Sequence, residues 1–244
     1  MNTNPNEFID DHAMCADGSI TIIKQPNQGE DVCHHLWSTP VVTARPFSDE
    51  FVKELTEEVQ YLLQPGAPGT FNSTNLWDLP NLPPKMLEVK EKMIELMEKH
   101  YRPLAEMPLP AFKASKGYFR YSYEGGVYRI TPHKHGNTIG VGIFYLKTDN
   151  RNPGNLVMID PRGGVNWTNQ FTTFKKIRVE PGLMLIHPGY LIHFVEPSHP
   201  DMGMHYGDRL AIITNIHRNH EDFIEVLRKH DNYIGKVASG DGEA

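Results

Sequence analysis

The chain has 244 residues, enough to bury the core of one full domain, and carries 24 Lys and Arg against 30 Asp and Glu, a formal net charge of -6. Its basic residues are scattered rather than striped, which excludes the electrostatic footprint of a nucleic-acid binder. The two cysteines, Cys15 and Cys33, fit neither a disulfide framework nor a thiolate metal site, and no segment approaches the roughly 20 apolar residues of a membrane span.

No basic stretch followed by an apolar one opens the chain, so the expectation is a protein of the reducing cytoplasm, without a membrane partner. Residues 1–35 are polar and without sustained period, which predicts an irregular arm, with a single domain over 36–244. Trp37 to Thr43 reads as an entry strand, and Pro40 predicts an edge or a bulge there. A helix is expected over 48–64, capped by Ser48, with Asp49 and Glu50 in its first turn and Phe51, Leu55, Val59, Leu62 and Leu63 at helical spacing. Ala67 to Asp78 reads as a long loop. A second helix over 84–100 follows Pro83-Pro84, with Met86, Val89, Met93, Leu96 and Met97 on its apolar side.

From about residue 112 the texture changes to short β-rich runs separated by Gly, Pro, Asn and Asp. Strands are expected at Tyr118–Tyr123, Val127–Thr131, Ile139–Lys147, Asn155–Ile159, Lys176–Val179, Leu183–His187, Leu191–Val195 and Arg209–His217. Eight short strands with two outer helices predict a mainly β fold, a jelly roll of the double-stranded β-helix type, with its barrel over 112–217.

Within that barrel, His133 and His135 are two residues apart beside a strand end, so their side chains leave one face and can grip one ion. His193 ends a later strand that an antiparallel barrel returns to the same mouth. Three protein ligands at adjacent corners leave the other corners for a bidentate organic acid and dioxygen, which suits Fe(II). Arg209 follows on the next strand, and its planar, permanently charged guanidinium matches the far carboxylate of 2-oxoglutarate. The competing role for Arg209 is an ion pair with Asp160 or Asp208.

The residues from His133 to Asn215 resemble the 2-oxoglutarate and iron-dependent oxygenase superfamily. Within it they resemble a bacterial and phage group patterned H-x-H-P, S-G-V-Y-Y-L, D-P-R, G-x-L-x-x-F-P, H-x-V-x-P and R-I-S. The counterparts here are His133-Lys134-His135-Gly136, Gly140 to Leu146, Asp160-Pro161-Arg162, Gly182 to Pro188, His193 to Pro197 and Arg209-Leu210-Ala211. The resemblance implies a double-stranded β-helix, Fe(II), and oxidation of a substrate, by default hydroxylation, coupled to decarboxylation of 2-oxoglutarate to succinate.

Two departures qualify it. His135 stands where the commonest triad has Asp or Glu, so either His135 is the third ligand or Asp160 or a water completes the centre. Three neutral ligands are also the pattern of iron dioxygenases that work without 2-oxoglutarate. Ala211 replaces the usual hydroxyl residue beside the arginine, and Tyr121, Tyr123, Tyr128 or Thr214 is expected to supply that hydrogen bond. Asn137, Asn155, Arg162 and Trp167 lie near the expected mouth and are candidate substrate contacts, with Gly163 to Thr173 a candidate flap. The partners implied are dioxygen and a small-molecule substrate. The alternatives are a 2-oxoglutarate-independent three-histidine dioxygenase and a non-oxidative cupin-like metalloprotein.

Overall fold

A computed structural model describes residues 21–23, 25–36, 39–63, 75–104, 111–122, 132–136, 138–148, 154–161, 174–196 and 209–218. Ten strands and two α-helices occur among them. The strands are β1 (Thr21–Ile23), β2 (Asp31–Leu36), β3 (Thr39–Ala44), β4 (Phe112–Ser122), β5 (Gly140–Lys147), β6 (Leu156–Ile159), β7 (Phe174–Ile177), β8 (Met184–Pro188), β9 (His193–Val195) and β10 (Arg209–Arg218). The helices are α1 (Asp49–Glu58) and α2 (Pro84–Tyr101). No helix among the described residues is long and apolar enough to cross a membrane.

The strands form two sheets, a six-stranded one in the order β2-β3-β8-β5-β10-β4 and a four-stranded one in the order β1-β7-β6-β9. All pairings are antiparallel except β1 with β7. Side-chain alternation along the large sheet divides its apolar residues between two cores. Val141, Ile143 and Tyr145 of β5, Ala211 and Ile213 of β10, and Leu183 and Leu185 at β8 face the small sheet, where they meet Leu156, Met158, Ile177 and Val195. Phe144, Leu146, Leu210, Ile212, Met184 and Ile186 face the other way, against the helices.

Helix α1 begins where Ser48 caps it, its side chain accepting from the Phe51 N–H at 3.1 Å, and Asp49 and Glu50 fill the acidic first turn. It is shorter than its periodicity predicts. Residues Gln60–Leu63 continue as a tight 3-10 turn, which keeps Leu62 in the core without extending the helix. Helix α2 starts on Pro84 and buries the five apolar residues expected of it, Met86, Val89, Met93, Leu96 and Met97. Their fit depends on glycine in the facing strand. A Cβ on Gly142 would stand 2.7 Å from the Met93 sulfur, and one on Gly140 would stand 2.7 Å from the Met97 methyl group, so the bare backbone of β5 lets α2 lie flat on the sheet.

Three expectations are corrected. Strand β1 and all of β2 but Leu36 fall in residues 1–35, the stretch read as an irregular arm: β1 adds to β7, and β2 forms the outer edge of the large sheet. Strand β3 is consequently internal, and Pro40 is tolerated because only Val42 to Ala44 pair with β8, beyond the proline. The loop read over 67–78 ends in a 3-10 turn at Leu76–Asp78, where Leu76 is wholly buried. The other strands lie close to their expected positions, with β4 beginning six residues earlier than expected, at Phe112. Val127–Thr131 and the candidate flap lie outside the described residues.

Candidate metal centre

The site lies at one end of the space between the two sheets. His133 and His193 form an antiparallel bridge and exchange both backbone hydrogen bonds, the N–H of His133 to the carbonyl of His193 at 3.0 Å and the reverse at 2.9 Å. Directly opposed residues send their side chains to one face, and the two imidazoles stand 4.4 Å apart, centre to centre. His135, two residues on, is pinned by its N–H to the Gly189 carbonyl at 2.9 Å, and its ring centre is 5.4 Å from that of His133 and 5.3 Å from that of His193. Gly189 has no room for a side chain, since a Cβ there would collide with the Thr138 carbonyl.

One nitrogen from each of these histidines lies within 4.8 Å of the others, and this is the only such group of three potential ligands among the described residues. Asp160 is described and is not part of it. Facial ligands about 2.1 Å from an ion are about 3 Å from one another, so modest ring rotations close the triad on a metal. Protonation also favours it. Burial, followed by the neighbouring His187, holds the His193 imidazole well below its ordinary range, and burial does the same more weakly for His135. His193 donates Nδ1–H to the Leu191 carbonyl at 2.9 Å, which leaves the Nε2 lone pair for a cation. A neutral three-nitrogen set fits Fe(II) among other divalent metals.

A cleft opens on the triad, lined by Tyr118 and Arg120 of β4, Ile143 and Tyr145 of β5, Leu156 of β6, and Arg209, Ala211 and Ile213 of β10. Arg209 is buried at the far end. Its Nη1 donates to the Gly154 carbonyl at 2.6 Å, its Nη2 to the Tyr145 hydroxyl at 3.4 Å, and its guanidinium carbon lies 5.2 Å from the centre of the Tyr145 ring. Among the described residues no carboxylate forms an ion pair with Arg209, and Asp208, the expected partner besides Asp160, lies outside them. A buried guanidinium in the same cleft as three clustered histidines has the chemistry to receive an anion.

The remaining predicted residues divide. Thr214 is buried, but the even positions of β10 face the helices with Leu210 and Ile212, opposite to Arg209, Ala211 and Ile213, so its hydroxyl does not enter the cleft. Asn155 is also buried and its carboxamide is already engaged, donating to Glu196 at 2.8 Å and accepting from the Val179 N–H at 3.3 Å, which makes it a tie between strands rather than a wall of the cleft. Tyr121 lies on β4 opposite Leu210, with its side chain outside the described residues. Tyr123, Tyr128, Asn137, Arg162 and Trp167 also lie outside them.

Four residues emerge that the sequence reading did not assign to the site. Tyr145 supplies the hydroxyl beside Arg209, Arg120 adds a second cation to the cleft wall, Asn215 contacts His135, and His187 lies wholly buried behind the triad, 4.5 Å from the His193 ring. Strand parity was the available signal, because 209, 211, 213 and 215 share one face with 141, 143 and 145.

No family model matches this chain, and no curated protein matches it in sequence. Solved structures do. A prolyl-4-hydroxylase from Pseudomonas putida aligns over 76% of this chain and 92% of its own length, at 16% identity and a TM-score of 0.53. AviO1 from Streptomyces viridochromogenes Tue57 aligns over 74% of this chain and 90% of its own, at 12% identity and a TM-score of 0.53. The fold is the double-stranded β-helix. At these identities the likeness extends to the architecture, and the chemistry has to be argued from the cleft itself.

Proposed function

We propose that this protein is a non-haem Fe(II) oxygenase that couples decarboxylation of 2-oxoglutarate to the oxidation, by default hydroxylation, of a small-molecule substrate. The observation that carries the reading is the meeting, in one cleft, of the His133, His135 and His193 nitrogens with a buried Arg209 that has no carboxylate partner among the described residues. The triad would hold the metal, and Fe(II) bound there would supply the means of activating dioxygen beside a chelating keto acid.

The protein's own residues do the positioning. Arg209 and the Tyr145 hydroxyl receive the carboxylate of 2-oxoglutarate remote from its keto group, a charge-assisted contact in a site shielded from water. Ile143, Leu156, Ala211 and Ile213 form an apolar lining that excludes solvent from the reacting atoms. Arg120 and Tyr118 face the same space from β4, where a polar substrate group would meet them. Tyr128 remains proposed for the co-substrate, and Asn137, Arg162 and Trp167 for the substrate, on the sequence reading, whereas Tyr121 pairs with Leu210 of the helix-facing set.

The test is oxygen uptake by the Fe(II)-loaded protein with 2-oxoglutarate, alone and with candidate substrates. Stoichiometric succinate supports the reading. A second reading, a three-histidine dioxygenase whose organic substrate chelates the metal, draws support from the neutral ligand set, and oxygen uptake without succinate would select it.

A further inference from the structure

We infer that Asn215 is a positioning residue of this centre: its side-chain carbonyl fixes the tautomer and ring plane of His135 and so delivers His135 Nε2 to the metal. The inference rests on the metal-centre reading and adds to it an explanation of how a histidine serves where a carboxylate is common. A carboxylate offers two equivalent oxygens, but an imidazole binds only through an unprotonated nitrogen, so a histidine ligand needs its other nitrogen held protonated.

The geometry supplies that hold. His135 Nδ1 lies 3.0 Å from Asn215 Oδ1, and with the carbonyl oxygen as acceptor the ring donates from Nδ1 and keeps its lone pair on Nε2. For His193 the Leu191 carbonyl performs the same task. A backbone carbonyl does so at His193, whereas at His135 a side chain from another strand is used, 80 positions away in sequence.

Asn215 is itself firmly placed. It shares the cleft-facing side of β10 with Ala211 and Ile213, pairs with Val141 on β5 and with Lys116 on β4, and sits where the register with β4 shifts between Asn215 and Ile216. The extra β4 residue at that bulge, Ser115, donates its hydroxyl to the Asn215 carbonyl at 3.2 Å. The Gly189 contact holds the His135 backbone while the bulged strand holds Asn215, so the imidazole is clamped from two independent elements.

The experiment uses the full chain, freed of metal, with ring-nitrogen NMR of the histidines and His135→Gln to assign the signals, followed by Co(II) titration against a chelating dye. The native His135 is expected to carry its proton on Nδ1. Asn215→Leu, close in volume but without an acceptor, should mix the tautomers and weaken Co(II) binding about 10- to 100-fold. Asn215→Asp keeps the acceptor, so it should bind Co(II) at least as tightly as the native protein and retain the Nδ1 proton. A native His135 protonated on Nε2, an Asn215→Leu affinity within about twofold of native, or an Asn215→Asp loss equal to that of Asn215→Leu would overturn the assignment. The native tautomer is decisive even if Asn215→Leu fails to fold. Failure of the native protein to bind Co(II) would overturn the metal-centre reading instead.

Discussion

His187 tests the electrostatics of this cleft. The side chain is wholly buried, donates Nδ1–H to the Pro188 carbonyl at 2.8 Å, and has an Nε2 with no hydrogen-bond partner among the described residues. Burial pushes its pKa down to about 3. In the unfolded chain the group takes up a proton below about 6.5. Between those values the unfolded state holds more protons than the folded one, so stability falls as pH falls. The loss from this one group is about 2 kcal/mol at pH 5 against about 0.2 kcal/mol at pH 7.

His187→Leu removes the titrating group and leaves an apolar side chain of similar size beside the His193 ring. Urea unfolding of metal-free protein, at pH 7 and pH 5, should show the native protein losing about 2 kcal/mol more than the variant over that interval. Loss of the contact to the Pro188 carbonyl costs the variant about 1 kcal/mol at both pH values, so it cancels in the comparison. Equal losses for the two proteins would refute the claim that His187 is held neutral in the fold.

Other substitutions separate the faces of the barrel. Thr214→Val removes a buried hydroxyl on the helix side that has no hydrogen-bond partner among the described residues, and should raise stability by about 1 kcal/mol in urea unfolding while leaving 2-oxoglutarate affinity unchanged. Tyr145→Phe removes the hydroxyl that Arg209 contacts and should weaken 2-oxoglutarate about tenfold by calorimetry, the effect of one hydrogen bond to a charged group. Gly189→Ala forces a Cβ against the Thr138 carbonyl in the turn that pins His135, and should cost about 1–3 kcal/mol of stability and loosen Co(II) binding.

The triad was legible because its signal is local: two histidines two apart share a face, and His193 ends a strand that antiparallel pairing returns to them. Arg209 was legible for the same reason, as a cation on the strand that follows. What was hidden depended on register. The shift between Leu210 and Ala211 sets Ala211 opposite Tyr145, and no residue type announces that shift, so the tyrosine beside Arg209 read only as one residue of the strand expected at Ile139–Lys147. Thr214 was chosen for its hydroxyl, although its even position on β10 already set it on the face opposite to Arg209. Strands β1 and β2 were missed because β1 is only three residues long and takes its order from distant Lys175 to Ile177, while β2 is polar and pairs on one side only, with β3. Asn155 was read as a candidate substrate contact from its place near the expected mouth, yet its side chain ties the ends of β6 and β9 together, and it is the Gly154 carbonyl that Arg209 contacts.

The central claim is that a three-histidine metal site and Arg209 together bind a chelating keto acid. It is tested most directly by anaerobic titration of the metal-free protein with Fe(II) and then 2-oxoglutarate, following the visible charge-transfer band of an iron-bound keto acid, beside Arg209→Ala and His135→Ala. A band is expected in the native protein, a band that needs about 30-fold or more additional 2-oxoglutarate in Arg209→Ala, and none in His135→Ala. Iron binding with no band at saturating 2-oxoglutarate, or a band indifferent to Arg209, would contradict it.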